Sequence, residues 1–129
     1  MRYAVLIYQD ERMWAEATAE QRSAMHEAHG AFDRAVRERD ALLGGEALTG
    51  VANATTLRRD PAGGVVLTDG PFAETAEQLG GFYLVEAPDL DTMTGLCALL
   101  PAAYTLEIRP VADVSEDDDW LAANEAAQA

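Results

Sequence analysis

Two histidines lie one helical turn apart, at His26 and His29, and they are the residues that could hold a metal or move a proton. The zincin pattern places two histidines at i and i+4 on one helical face with a glutamate between them. Here the second histidine follows at i+3, and no obvious third ligand accompanies the pair. We therefore expect no metal site and interpret His26 as a surface residue.

His29 differs because it falls in line with Met25, Phe32 and Val36 on the apolar stripe of a predicted helix. A half-buried imidazole that a carboxylate orients can act as a general base or acid near neutral pH. Asp69 is the leading candidate for that carboxylate, since its hairpin can fold back over the helix. The alternatives stay open: His29 as a core histidine with one hydrogen bond, and Asp69 as a turn former.

Arg109 is the candidate anchor for an anionic substrate, because a guanidinium pairs well with a carboxylate. In an alternating strand it lies opposite Leu106 and Ile108, on the sheet side that faces a partner or a cavity. The aromatic residues that could wall a pocket, or simply fill the core, are Tyr8, Trp14, Phe72 and Tyr83. We interpret Cys97, on the apolar face of a helix, as a packing residue.

Composition narrows the function classes. The 129 residues carry a net charge of −14, which disfavours nucleic acid and membrane surfaces as partners. All nine basic residues are arginines, so a Schiff-base lysine and a P-loop lysine are both excluded. The glycine pair at 80–81 precedes a strand and is no dinucleotide fingerprint, so we expect no cofactor. A single cysteine and a short apolar run at the N-terminus predict a cytoplasmic protein.

The chain must supply a sheet and two helices to position these residues. Thr18 and Gln21 form a capping box at the start of the first helix, and Pro101 ends the second. Strands are predicted at 3–8, 54–59, 65–68, 80–87 and 105–111. Residues 41–48 are predicted to leave the first helix and form a second strand and its turn, with a bend or bulge at Gly44 and Gly45. The order β-α-β-β-(β)-β-α-β predicts an α+β, ferredoxin-like fold, an antiparallel sheet with both helices on one face. We expect one domain over 1–112 and an acidic, alanine-rich helical tail over 113–129.

Two of the strands, 3–8 and 80–87, are apolar on both faces. Two helices cover only one face of a sheet, so the other face needs a different cover. We therefore predict a homodimer that forms through the sheet face.

The sequence resembles the YCII-related family, specifically its DGPF branch, over residues 1–112. The resemblance rests on "MRYAVLIY", "AHGAF", "LLGGEAL", "TDGPFAETAEQLGGFYLVEAPDLD" and "EIRPV". It implies a ferredoxin-like fold that dimerises into an α/β barrel, with a pocket between the sheet and the first helix. His29 matches the family's suggestive helix histidine. In the wider family an aspartate before a proline accompanies that histidine, whereas this chain has Leu100 before Pro101.

The resemblance and the residues together leave three functions open. In the first, a cofactor-independent proton-transfer or lyase-type enzyme, His29 shuttles a proton, Asp69 orients it and Arg109 anchors a small anionic molecule. The second is a non-catalytic small-molecule-binding or regulatory module, which the family's association with sigma-factor signalling suggests. The third is a structural dimer whose DGPF turn closes the barrel mouth. We favour the first.

Overall fold

Residues 1–112 form a central sheet, a separate hairpin and three α-helices, in an α+β arrangement. The computed structural model describes residues 1–112 together with Ala122 and Glu125, so the predicted tail helix otherwise lies outside the described residues. The strands are β1 Arg2–Gln9, β2 Leu42–Ala47, β3 Thr55–Arg59, β4 Val65–Asp69, β5 Gln78–Glu86 and β6 Thr105–Pro110. The helices are α1 Arg12–Glu16, α2 Ala19–Glu38 and α3 Leu90–Cys97, with a 3₁₀ turn at Val51–Asn53. All six predicted strands are confirmed.

The four-stranded sheet has the order β2-β5-β1-β6, and each neighbouring pair is antiparallel. At its centre Val5 pairs with Tyr83 on one side and with Ile108 on the other. The strands β3 and β4 form their own two-stranded sheet. The predicted bend in β2 is a register shift between Leu42 and Gly44.

The long helix α2 begins as the sequence predicts. The Thr18 hydroxyl accepts a hydrogen bond from the Gln21 N–H at 3.1 Å, and the Gln21 side chain accepts one from the Thr18 N–H at 2.9 Å. This capping box satisfies two backbone donors that the first helical turn would otherwise leave unpaired. Further along, Phe32 and Val36 are fully buried, so the predicted apolar stripe faces the sheet.

The core lies between the helices and one face of the sheet. Its buried members are Tyr3, Val5, Phe32, Val36, Ala41, Val85, Ala87, Met93, Cys97 and Leu100. Leu90 lies outside this core, and 53% of the residue is exposed. Leu90 is the first residue of α3, and the face of that helix that meets the core begins one turn later, at Met93.

The other face of the sheet carries the alternate residues. Tyr3, Val5 and Ile7 of β1 are buried beneath the helices, so Leu6 and Tyr8 point to the opposite side, where each is half-buried. We call this side the open face. Among the helices that the structure describes, none is long and apolar enough to cross a membrane.

Candidate active site

His29 lies between two tyrosines. Its Nδ1 is 2.8 Å from the Tyr83 hydroxyl oxygen, and its Nε2 is 2.9 Å from the Tyr104 hydroxyl oxygen. The Tyr104 ring meets the imidazole edge-on, with ring centroids 5.4 Å apart. Both ring nitrogens are therefore within hydrogen-bonding distance of a phenol, which fixes the ring on two sides.

Three different elements supply these groups. His29 projects from the middle of α2 one turn before Phe32, which is itself anchored in the core. Tyr83 projects from β5 on the helix-covered face, and its ring packs against Phe32 with centroids 4.7 Å apart. Tyr104 stands in the loop between α3 and β6, where its N–H donates to the Pro101 carbonyl at 3.1 Å. The fold therefore joins residues far apart in sequence.

The three side chains border a cavity of about 860 Å³ between the sheet, α1 and α2. This volume lies within the range of small-molecule sites in proteins. Trp14 of α1 forms part of the wall, and its indole N–H donates to the Gln9 side-chain oxygen at 2.6 Å. The Trp14 ring also lies beside His26, with ring centroids 5.6 Å apart. Two of the predicted aromatic wall residues, Tyr83 and Trp14, are thus placed at the cavity.

Burial and neighbouring charge shift the pKa values of these groups away from each other. Desolvation, with a smaller contribution from His26, lowers the pKa of His29 below its usual 6.5. Desolvation raises the pKa of Tyr83, and the Asp33 carboxylate raises it further. Desolvation also raises the pKa of Tyr104, while the Trp14 indole N–H lowers it and Tyr83 raises it. At neutral pH the site therefore holds a neutral imidazole between two protonated phenols.

Two charged residues at the cavity, Arg12 and Glu11, are engaged in contacts of their own. The Arg12 guanidinium binds Asp10, with Nη2 and Oδ2 2.7 Å apart. The Glu11 carboxylate accepts a hydrogen bond from the Val51 N–H at 2.7 Å, which ties α1 to the segment after β2. Glu46 also borders the cavity. Since its arginine is already paired, this cavity offers an incoming anion no unpaired guanidinium from the residues that line it.

The structure does not bring Asp69 and His29 together within one chain. Asp69 ends β4 in the separate hairpin, where it pairs with Thr55. Among the described residues no hydrogen bond joins Asp69 to His29, whose two nitrogens face tyrosines. Phe72 is 78% exposed and borders a second, smaller cavity of about 530 Å³ beside the hairpin. The pairing of Asp69 with His29 stays a prediction.

Arg109 and Tyr8 lie on the open face, on the other side of the sheet from His29. Arg109 pairs across the sheet with Ala4, and Tyr8 pairs with Thr105. The Arg109 guanidinium lies 3.1 Å from the Glu107 carboxylate, on the same face. Arg109 lies on the side of the sheet that the alternation along β6 predicts. Within one chain, Arg109 does not line the cavity at His29.

No group of three potential metal ligands occurs in the part of the chain that the structure describes.

Tyr104 is a residue of the site that was not predicted from the sequence. It lies in a loop 75 residues from its partner His29, and neither periodicity nor a motif links the two. The nearest signal in the sequence for a partner of His29 was Leu100 before Pro101. The resemblance to the wider family implies that an aspartate at this position accompanies the helix histidine. In this chain Leu100 is buried in the core, and the Tyr104 hydroxyl reaches the imidazole instead.

Comparison with known proteins identifies the family of the chain. The YCII-related domain matches residues 1–115. An uncharacterised protein of Rhizobium meliloti (strain 1021) is 36% identical over 116 residues, which cover 87% of this chain and 93% of that protein. The chain belongs to the YCII-related family.

Proposed function

We propose that this YCII-related protein is a cofactor-independent enzyme that removes or returns a proton on a small carbonyl compound bound in the cavity. The observation that carries the proposal is the neutral imidazole of His29, held by two tyrosine hydroxyls at the cavity wall. A base of lowered pKa is uncharged at neutral pH and so can accept a proton. Lyase-type elimination begins with the same proton removal.

The carbonyl class follows from the neutral base at the site. Such a base can remove a proton beside a carbonyl, because the electron pair that is left spreads onto the carbonyl oxygen as an enolate. The sequence predicts an anionic substrate because of Arg109, whereas in one chain the cavity at His29 contains a paired arginine, Arg12. A matched pair of neutral and anionic compounds therefore tests this part of the prediction directly.

The test is deuterium exchange in D₂O, followed by proton NMR, with butanone and 2-oxobutanoate as the first neutral and anionic probes. We expect protein-dependent loss of the signal from the protons beside the carbonyl. His29→Gln should lower the exchange rate by about 10²–10⁴-fold, since general acid–base groups contribute on that order. Glu27→Gln, on the exposed side of α2, is the control and should exchange at the wild-type rate.

Two results would contradict the proposal. One is exchange at the buffer rate for every compound of a panel of small aldehydes, ketones and oxo acids. The other is equal exchange by the wild type and His29→Gln. Saturable binding of a probe without exchange would instead favour the non-catalytic binding or regulatory module.

We also propose that two copies pair through the open face and that the fold is ferredoxin-like. The strand order β2-β5-β1-β6, with α2 and α3 packed in one core, supports the ferredoxin-like description. The half-buried apolar side chains Leu6, Phe82 and Leu84 support a covered open face. The turn from Asp69 to Phe72 supports membership of the DGPF branch, and the buried thiol of Cys97 supports a cytoplasmic location.

The pairing is tested by the mass of the particle in solution. Leu84→Glu places a carboxylate in the middle of the open face and should convert a dimer into a monomer in sedimentation velocity. Leu90→Glu is the matched control, because Leu90 is exposed on the helix side of the sheet. A wild-type protein with the mass of one chain at micromolar concentration would contradict the dimer.

A further inference from the structure

We propose that Tyr104 is the catalytic residue that touches the substrate, and that it passes the proton to His29 along a hydrogen-bond chain with a fixed direction. The inference rests on the proposed proton-transfer function and assigns the group that carries it out. The chain runs from Tyr104 through the His29 imidazole to Tyr83.

Both ring nitrogens of the His29 imidazole already have a hydrogen-bond partner. Each ring nitrogen of His29 has a tyrosine oxygen within 2.9 Å, so neither nitrogen presents a free edge to a ligand. A neutral imidazole carries one N–H and one lone pair. One tyrosine therefore donates to His29 and the other accepts from it, and a proton from the cavity must enter through a phenol.

The proposed relay itself requires one direction for the chain. A phenol that takes up a proton on its oxygen must give up its own, so the Tyr104 O–H donates to Nε2 of His29, 2.9 Å away. Nδ1 of His29 then carries the imidazole N–H and donates it to the Tyr83 oxygen, 2.8 Å away.

The surroundings of the two phenols differ, and they favour Tyr104 as the one that meets the substrate. The Tyr83 ring is confined, with Phe32 against it at 4.7 Å and the β2 backbone at Gly45 beside it. Tyr104 instead stands on a loop, next to the Trp14 side chain that forms the cavity wall. Tyr83 is therefore the positioning residue that holds the imidazole, and Tyr104 is the residue that can adjust to a ligand.

The proposed proton transfer from the substrate to His29 conserves protons and electrons. The Tyr104 oxygen takes the proton from the carbon beside the carbonyl while its own hydroxyl proton moves to Nε2 of His29. The C–H electron pair stays on the substrate as an enolate, and the imidazole becomes an imidazolium. The Tyr83 oxygen accepts from Nδ1–H throughout. The reverse step returns the proton by the same route.

The direction can be tested without any substrate, by long-range ¹H–¹⁵N NMR of the imidazole in the full-length protein at pH 7.5. We expect His29 to be the Nδ1–H tautomer with an unprotonated Nε2. An Nε2–H tautomer would overturn the proposed direction. The assignment uses His29→Gln to identify the signals, with His26 as the second histidine of the chain.

The role of Tyr104 is tested by a matched pair of variants that each remove one hydroxyl. With the more active of butanone and 2-oxobutanoate, Tyr104→Phe should lower the exchange rate by about 10²–10⁴-fold. Tyr83→Phe should lower it by only about tenfold, the value of one hydrogen bond to the imidazolium. A larger loss in Tyr83→Phe than in Tyr104→Phe, or no loss in Tyr104→Phe, would overturn the assignment.

The two proposals fail in different ways. If the wild type exchanges a probe and His29→Gln does not, the proton-transfer function stands and the tyrosine pair decides the role of Tyr104. If no compound exchanges, the function fails and the assignment of Tyr104 fails with it, while the NMR tautomer still reports the direction of the hydrogen bonds. Circular dichroism of both phenylalanine variants confirms that each comparison is made between folded proteins.

Discussion

The ring of Tyr83 occupies the space in which a side chain at Gly45 would stand. A Cβ built on Gly45 would lie 2.7 Å from Cδ1 of Tyr83 and 2.9 Å from the Phe82 carbonyl oxygen. The two residues pair directly across β2 and β5 on the helix-covered face. The absence of a side chain at Gly45 is therefore what allows the Tyr83 hydroxyl to reach His29.

Gly45→Ala should destabilise the protein and disturb the site together. Because one of the two close neighbours is backbone, the strand itself must shift, and overpacking of this kind costs about 1–3 kcal/mol. We expect the free energy of unfolding in urea to fall by that amount and the His29 imidazole signals to move. Unchanged stability and unchanged signals would contradict the close packing of Tyr83 on β2.

Gly95→Ala is the matched substitution with the opposite expected sign. Gly95 lies in α3, and a Cβ placed there would have no atom within 4 Å. Alanine is favoured over glycine inside a helix by roughly 0.5–1 kcal/mol, so this variant should unfold at a higher urea concentration. A lower midpoint for Gly95→Ala would contradict the open surroundings of that position.

His29 should make the stability fall as the solution becomes more acidic. Burial lowers the pKa of the folded-state imidazole, whereas the unfolded chain titrates near 6.5. As the pH falls through 6.5, the unfolded chain therefore binds a proton at His29 before the native chain does, and native stability is lost. Below the native pKa both states are protonated, and His29 contributes no further slope.

Urea unfolding of the wild type and His29→Gln between pH 7.5 and 5.0 checks this expectation. The acidic residues titrate in both proteins, so the difference between the two curves isolates the imidazole. The groups that face it are the Tyr83 and Tyr104 hydroxyls, which stay protonated over this range, and His26, which is exposed. Parallel curves would contradict a lowered pKa for His29.

The sequence was sufficient for the elements whose signals are local. The capping box at Thr18, the apolar stripe with Phe32 and Val36, and the alternation of Arg109 with Ile108 each depend on spacing along one helix or strand. Helix α1 was missed because its five residues have no capping side chain and bury no residue that could set a pattern. A helix this short is fixed by tertiary contacts such as the one between Glu11 and Val51.

The site could be predicted only in part for the same reason. His29 was identifiable because a titratable group on an apolar stripe is unusual in itself. Its observed partners, Tyr83 and Tyr104, are 54 and 75 residues away, and their contacts follow from the strand order and from a loop. The motif around Asp69 is the most conspicuous stretch of the sequence, yet it belongs to the hairpin that forms its own sheet. A conspicuous sequence motif therefore does not have to lie beside the imidazole.

Cys97 should be unreactive in the folded protein. The thiol is buried in the core, and desolvation raises its pKa to about 11. At pH 8 only about one thiol in a thousand would then be ionised, and the thiolate is the reactive form. We expect a disulfide reagent that releases a coloured thiolate to react with the native protein only as fast as the chain opens. In urea one thiol per chain should react at once, whereas fast reaction of the native protein would contradict the buried position.

Removal of the Thr18 hydroxyl should weaken the helix that carries His29 without changing the site. In Thr18→Ala the Gln21 N–H loses its acceptor at the start of α2, and the loss of such a cap costs about 1 kcal/mol. Ser23→Ala is the control, since Ser23 is exposed within the same helix. We expect urea unfolding to show the loss for Thr18→Ala and little change for Ser23→Ala, with the His29 tautomer unchanged in both. His29 lies about three helical turns from the cap. The site is held by Phe32 and the two tyrosines, so its geometry does not depend on the first turn. A changed tautomer in Thr18→Ala would show instead that the start of α2 sets the position of the imidazole.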